Sequence, residues 1–212
     1  MFEAIVLVGV GGLVYTLARG WATLWQLDHL LWRRLRIDAE GAPATLDRPT
    51  ALGRKVVEVA QRYVGVEESP RGSNRGAHVD SFLRFVGLKP GQPWCTAFVS
   101  YCVHRAADEL GAKVSFPKTG WTPSLLAWGK REGRLVTSQE IASGVQPQEG
   151  WIALFYYPAL GRVAHSGIVV KRLPLGAVVT VEGNTSDDGS REGYKVMRRV
   201  RLVRRIYAFV AI

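Results

Sequence analysis

The spacing of apolar residues changes part-way along the chain. Between residues 51 and 111 apolar side chains recur every three to four positions. Val56, Val59, Ala60 and Tyr63 make one stripe, Val79, Phe82, Leu83 and Val86 a second, and Cys95, Val99, Cys102 and Ala106 a third. Each set falls on one face of a helix. Gly65 and "ESPRGSNRG" separate the first two; Pro90, Gly91 and Pro93 stop anything from running into the third, and Gly111 stands where a C-cap belongs. Beyond the loop-rich "FPKTGWTPSLLAWGKREG" the pattern becomes short β-branched or aromatic runs between Gly, Pro, Asn and Asp turns. These are "WIALFYY" (151–157), "HSGIVVK" (165–171), "AVVTVEG" (177–183), "YKVMRRV" (194–200) and "IYAFVAI" (206–212). Helices followed by strands predict an α+β domain over 51–212, its helices packed on an antiparallel sheet of about five to six strands.

Ahead of this domain, "AIVLVGVGGLVYTLA" (4–18) carries no charge, and after Arg19 the apolar character continues through "GWATLWQL". Counted through Arg19 the stretch reaches the ~20 residues of a spanning helix. Trp21, Trp25 and Trp32 followed by "RRLR" resemble an interfacial belt with a basic flank. Glu3, where a cleaved signal peptide has Lys or Arg, argues against removal of the segment. With Arg19, Arg33, Arg34 and Arg36 all after the span, the positive-inside rule would keep the rest of the chain in the cytoplasm. Residues 1–36 are therefore read as a hydrophobic helix that enters a lipid bilayer, docks in a larger assembly or caps its own domain. "IDAEGAPATLDRPT" (37–50) has the composition of a linker.

Charge narrows the partners. Lys and Arg number 28 against 18 Asp and Glu, a net +10, which implies a polyanionic neighbour. Nucleic acid, anionic lipid and acidic wall polymers share that property, but no nucleic-acid motif accompanies the charge. Seven of the basic residues lie between Arg191 and Arg205, where strand alternation makes most of them a solvated face.

Only two cysteines occur, and Cys95 and Cys102 on one helix lie roughly 10 Å apart along its axis, too far for a disulfide. No CxxC or HExxH is present, and His29, His78, His104 and His165 are scattered, so neither metal nor cofactor is expected. Packing and nucleophilic chemistry remain open for Cys95. In the first turn of a helix it faces unpartnered N–H groups and the positive end of the dipole, which favour thiolate and can hold an oxyanion. Cys102, two turns further in, reads as core.

A base and an orienting group are also needed. A hairpin about "RLPLG" puts residue 165 opposite roughly residue 183, and alternation sets Glu182 and Asn184 on one face. A register pairing His165 with either collects all three polar groups; the other register points His165 away. Trp94 and Trp121, beside the cysteine and in a loop, are candidates for a substrate groove, with Gln92 a further polar neighbour; Trp128 and Trp151 read as core.

From about Val56 onward the chain resembles the CHAP family of cysteine amidohydrolases and peptidases, within the papain-like and NlpC/P60-like class. The resemblance rests on "GSNRGAHVDSFLRFVGLKPGQPWCTAFVSYCV", "AHSGIVV", "VEGNTS" and the closing "IYAFVAI". It implies hydrolysis of an amide or peptide bond of peptidoglycan, with Cys95 as nucleophile, His165 as base and then acid, Glu182 orienting the imidazole, and Asn184 at the other polar position of the site. Thr96 and Tyr101 stand where Ala and Trp are common and are expected at a helix surface and a groove wall. The localisation implied is the cell envelope or, if the chain is phage-encoded, the virion, with residues 1–36 held by tail proteins or a bilayer. The competing expectation is a catalytically silent module that grips the wall within a larger assembly.

Overall fold

Residues 49–187 and 192–212 are described in the computed structural model, so the hydrophobic segment 1–36 and nearly all of the 37–50 linker lie outside the described residues. Five helices and six strands occur among them. The first helix, α1 (Ala51–Gln61), starts at Thr50, whose hydroxyl accepts from the Gly53 N–H at 2.8 Å and so satisfies one of the free donors at the helix start. Helices α2 (Ala77–Phe85) and α3 (Cys95–Glu109) follow, and the three stripes read above meet in one core, with Tyr63 and Val86, just past the ends of α1 and α2, only partly buried. Two short helices, α4 (Thr122–Arg131) and α5 (Ser138–Ala142), fall in the stretch expected to be loop-rich. Pro123 sits at the start of α4, where its missing N–H costs nothing.

The strands are β1 (Leu135–Thr137), β2 (Ile152–Tyr157), β3 (Arg162–Leu173), β4 (Ala177–Thr185), β5 (Lys195–Leu202) and β6 (Ala208–Val210). They form one sheet in the order β1-β6-β2-β3-β4-β5, with every neighbouring pair antiparallel. The α+β class and the strand count agree with the sequence pattern; β1, three residues long, carries too little periodicity to be seen in advance.

Alternation along the strands gives the sheet two buried faces. Ile152, Leu154, Ile168, Val181 and Val210 join Phe98, Val99, Cys102 and Val103 of α3 in the main core, while Ala153, Phe155, Val169, Val178 and Phe209 pack with Trp151 into a smaller one on the opposite side. The consequence for function is positional. Helix α3 lies across the main-core face and presents its N-terminus to β3, near the point where β2 and β3 shift register between Phe155 and Tyr156.

Candidate active site

Cys95 is the first residue of α3, and Trp94, at the N-cap, supplies no side-chain acceptor to the first-turn N–H groups. Those donors remain directed at whatever lies before the helix. The Cys95 Sγ is 3.9 Å from the Ala164 carbonyl of β3 and 3.8 Å from Thr96 Oγ1. Thr96 is fully buried, a departure from the expected helix-surface position. Its hydroxyl meets Thr122 Oγ1 at 2.8 Å and Ser166 Oγ at 3.0 Å, tying the start of α3 to the start of α4 and to β3. Tyr101 is half-buried and pairs with the Tyr63 hydroxyl at 3.1 Å.

His165 lies within β3, fully buried, with Nε2 2.9 Å from Glu182 Oε2. The ladder between β3 and β4 ends at Ile168↔Val181, and one step further Gly167 meets Glu182. A Cβ built on Gly167 would lie 2.5 Å from Glu182 Cγ. A residue without a side chain therefore makes the space through which the carboxylate leans along the sheet to His165. Gly183 does the same on the other face, where a Cβ would be 2.6 Å from the Trp94 ring.

The Glu182 carboxylate has three further donors. Thr180 Oγ1 gives a bond of 2.6 Å to Oε1, Arg201 Nε donates to Oε1 at 2.8 Å, and a second Arg201 nitrogen donates to Oε2. The bidentate fork fixes the carboxylate plane as well as its charge. The Arg201 guanidinium also sits 5.0 Å over the Phe155 ring, whose centroid is 5.6 Å from that of His165. Arg201 thus completes a chain of alternating charge, Cys95–His165–Glu182–Arg201, running across β3, β4 and β5.

Electrostatics follow this order. Burial alone would push the Cys95 thiol up, but the neighbouring His165 charge, with hydrogen bonds from Thr96 and the Ser166 N–H, brings it below its ordinary value. Burial opposes charge on His165 too, yet the Cys95 thiolate and Glu182 outweigh it and raise the imidazole to about 9. Glu182 is lowered to about 2 against its own burial, first by the Arg201 hydrogen bonds and then by His165. All three shifts favour a thiolate–imidazolium pair backed by an ionised carboxylate. By contrast Cys102, with burial alone acting on it, is pushed well above the ordinary thiol range, as expected of a core cysteine.

Glu182 engages Nε2 of His165, and the other ring nitrogen, Nδ1, is buried without a hydrogen-bond partner. Nδ1 is therefore the ring nitrogen that Glu182 leaves without a partner.

Cys95 opens into a groove of about 270 Å³. Gln92, Pro93, the segment from Lys118 to Thr122, and Arg162 and Ala164 of β3 are among the residues that line it. Gln92 and half-exposed Trp121 thus stand where the sequence placed them. Trp94 does not: it is fully buried in the main core, and its indole N–H donates to the buried Glu68 carboxylate at 2.8 Å. A large apolar ring between two helices and a glycine packs better inside than on a rim.

Asn184 also departs from expectation. Its φ of 55° breaks strand alternation, and its amide nitrogen donates to Asn74 Oδ1 and the Gly193 carbonyl, each at 3.2 Å. The side chain braces the loop preceding α2 and makes no hydrogen bond to His165. Arg201, Thr180, Thr96 and Gly167 are the site residues that pattern reasoning missed. Among the described residues no group of three or more His, Cys, Asp or Glu side chains is placed to hold a metal ion.

No family model matches the chain, and no curated protein matches it. Two solved structures align with it. The crystal structure of Ly7917 is 16% identical, with a TM-score of 0.41 over 76% of this chain and 62% of that one. The crystal structure of Ly7917 with the hydrolyzing product of MDP is 14% identical, with a TM-score of 0.41 over 75% and 62%. The chain spans less than two thirds of the length of either.

Proposed function

We propose that the domain is a cysteine hydrolase that cleaves an amide or peptide bond of peptidoglycan. The observation that carries the reading is the disposition of three groups: Cys95 at an uncapped helix start, His165 with its second ring nitrogen unpartnered, and Glu182 clamped by Arg201 behind it. The choice of substrate rests on the resemblance to the CHAP family set out above.

In this mechanism the Cys95 thiolate attacks the scissile carbonyl, and the resulting oxyanion is held by the first-turn N–H groups of α3, that of Cys95 foremost. The imidazolium of His165 gives its Nδ1 proton to the leaving amine, and the thioester forms. His165, now neutral, accepts a proton from water as that water attacks the thioester; collapse of the second tetrahedral intermediate frees the acid and returns the proton to the pair. Glu182 holds the ring in place throughout. Under the same proposal residues 1–36 place the enzyme at the cell envelope, through a bilayer, or in a phage tail.

Purified sacculi incubated with wild type and with Cys95→Ala, followed by mass spectrometry of the soluble products, test the reading. New amine termini or free muramoyl ends are expected from the wild type and not from the variant. Their absence in the wild-type digest refutes peptidoglycan hydrolysis.

A further inference from the structure

The groove in front of Cys95 has an unbalanced charge. Lys118 and Arg162 line it and, among the described residues, no Asp or Glu does. Both cations are held by aromatic faces. The Arg162 guanidinium is 4.1 Å from the Trp121 ring centroid, and Lys118 Nζ is 4.8 Å from that of Phe85. Stacking of this kind fixes a cation without neutralising it. One Arg162 nitrogen donates to the Val163 carbonyl at 3.2 Å, leaving the rest of the fork for another acceptor.

The catalytic groups do not supply the missing negative charge. Thiolate and imidazolium cancel, as do Glu182 and Arg201, so the mouth of the site keeps the two positive charges of Lys118 and Arg162. The walls are apolar, with Val86, Leu88 and Pro93 contributing, and low-dielectric walls concentrate such a field. Trp121, half exposed beside Arg162, offers a flat surface against which an extended peptide can lie.

We propose that Arg162 and Lys118 select for a carboxylate on the substrate close to the scissile carbonyl, so that the preferred substrate is an acidic peptide and its amidated counterpart is a poor one. This deepens the hydrolase reading and rests on it for the role of Cys95, but the charge selection is separable by experiment.

Iodoacetate and iodoacetamide alkylate a thiolate by the same displacement of iodide and differ in one negative charge. Their rates at Cys95, located by peptide mass spectrometry, are compared in the wild-type chain and in Arg162→Gln/Lys118→Gln. The iodoacetate to iodoacetamide ratio is expected to fall about five-fold or more in the double variant, the size of effect two partly screened charges produce. An unchanged ratio overturns the proposal. If neither reagent modifies Cys95 faster than a free model thiol, the hydrolase reading fails by itself. Charge selection is then decided by isothermal titration calorimetry of Cys95→Ala with L-Ala-D-isoglutamate-L-Lys-D-Ala and with its isoglutamine form. At least five-fold tighter binding of the free acid is expected, and equal binding overturns the proposal.

Discussion

Arg201→Met tests whether the charge chain behind His165 is a single unit. Glu182 has no exposed side-chain surface, and its carboxylate owes its low proton affinity first to the Arg201 hydrogen bonds. Removing one partner of a buried pair typically costs ~3–5 kcal/mol, because the other charge stays behind unsolvated. The Arg201 side chain is 19% exposed, and Glu182 keeps Thr180 and His165 as donors, which argues for the lower end, about 3 kcal/mol. For a domain of this size that corresponds to a loss of roughly 10 °C in Tm. Glu182→Gln leaves a cation that can turn toward water and is expected to cost less, about 1 kcal/mol. In the double variant Glu182→Gln/Arg201→Met no buried charge is stranded, so stability should recover by about 1–2 kcal/mol relative to Arg201→Met, while hydrolysis stays low because His165 has lost its orienting carboxylate. Urea unfolding of the four proteins provides the cycle. Additive losses, or a cost below about 1 kcal/mol for Arg201→Met, would refute the coupling argued here.

Further outcomes follow from the same geometry. Gly167→Ala puts a methyl 2.5 Å from Glu182 Cγ, in the middle of a fixed side chain, so Glu182 must move off His165; kcat/KM should fall about 100-fold with the fold retained, as seen by circular dichroism, and wild-type rates would show that the contact does not position the carboxylate. The pH dependence has two limbs belonging to the Cys95–His165 pair: kcat/KM should already be high below the ordinary thiol range and should fall as pH rises through about 9, where the imidazolium is lost. Glu182→Gln removes an interaction that raises His165, so it should move the upper limb to lower pH; an unmoved limb separates Glu182 from the titration. The stability contributed by Glu182 is fully present above about 4.5, its ordinary value, and is lost as pH falls toward 2, so the same variant should flatten acid unfolding in that window.

The sequence carried the helices because their apolar stripes repeat at a period that little else explains, and it carried Cys95 because proline and glycine mark where α3 must begin. The partnership of His165 with Glu182 was legible as one of two registers. What decides between them is a pair of irregularities without an apolar signature. An extra residue, Val170, shifts the β3–β4 ladder between Val169 and Lys171, and a second irregularity after Glu182 takes Asn184 out of alternation. Counting by twos from the turn gives the neighbourhood of the site but not the face on which each side chain lands.

Arg201 was hidden for a different reason. On β5, basic residues occupy both faces, and alternation sets Arg198 apart from Arg199 and Arg201 without saying which face meets the site. Register separates them: Arg201 pairs with Val178 and Arg199 with Thr180, on the face where Glu182 pairs with Met197, whereas Arg198 pairs with Val181 and donates to Gln61 of α1 instead. Of the two arginines on the site's face, only Arg201 reaches the carboxylate; Arg199 donates to the Asp187 carbonyl. A carboxylate buried to zero exposure needs a fixed cation or several donors to remain ionised, so the existence of such a partner was implied once Glu182 was placed inside. Its identity depended on a pairing between strands that no local pattern encodes. The same logic explains Trp94, whose position next to Cys95 suggested a groove wall. Its burial is set by Gly183 and Glu68, one far along the chain and one in the loop before α2, and both act on it only after the fold has formed.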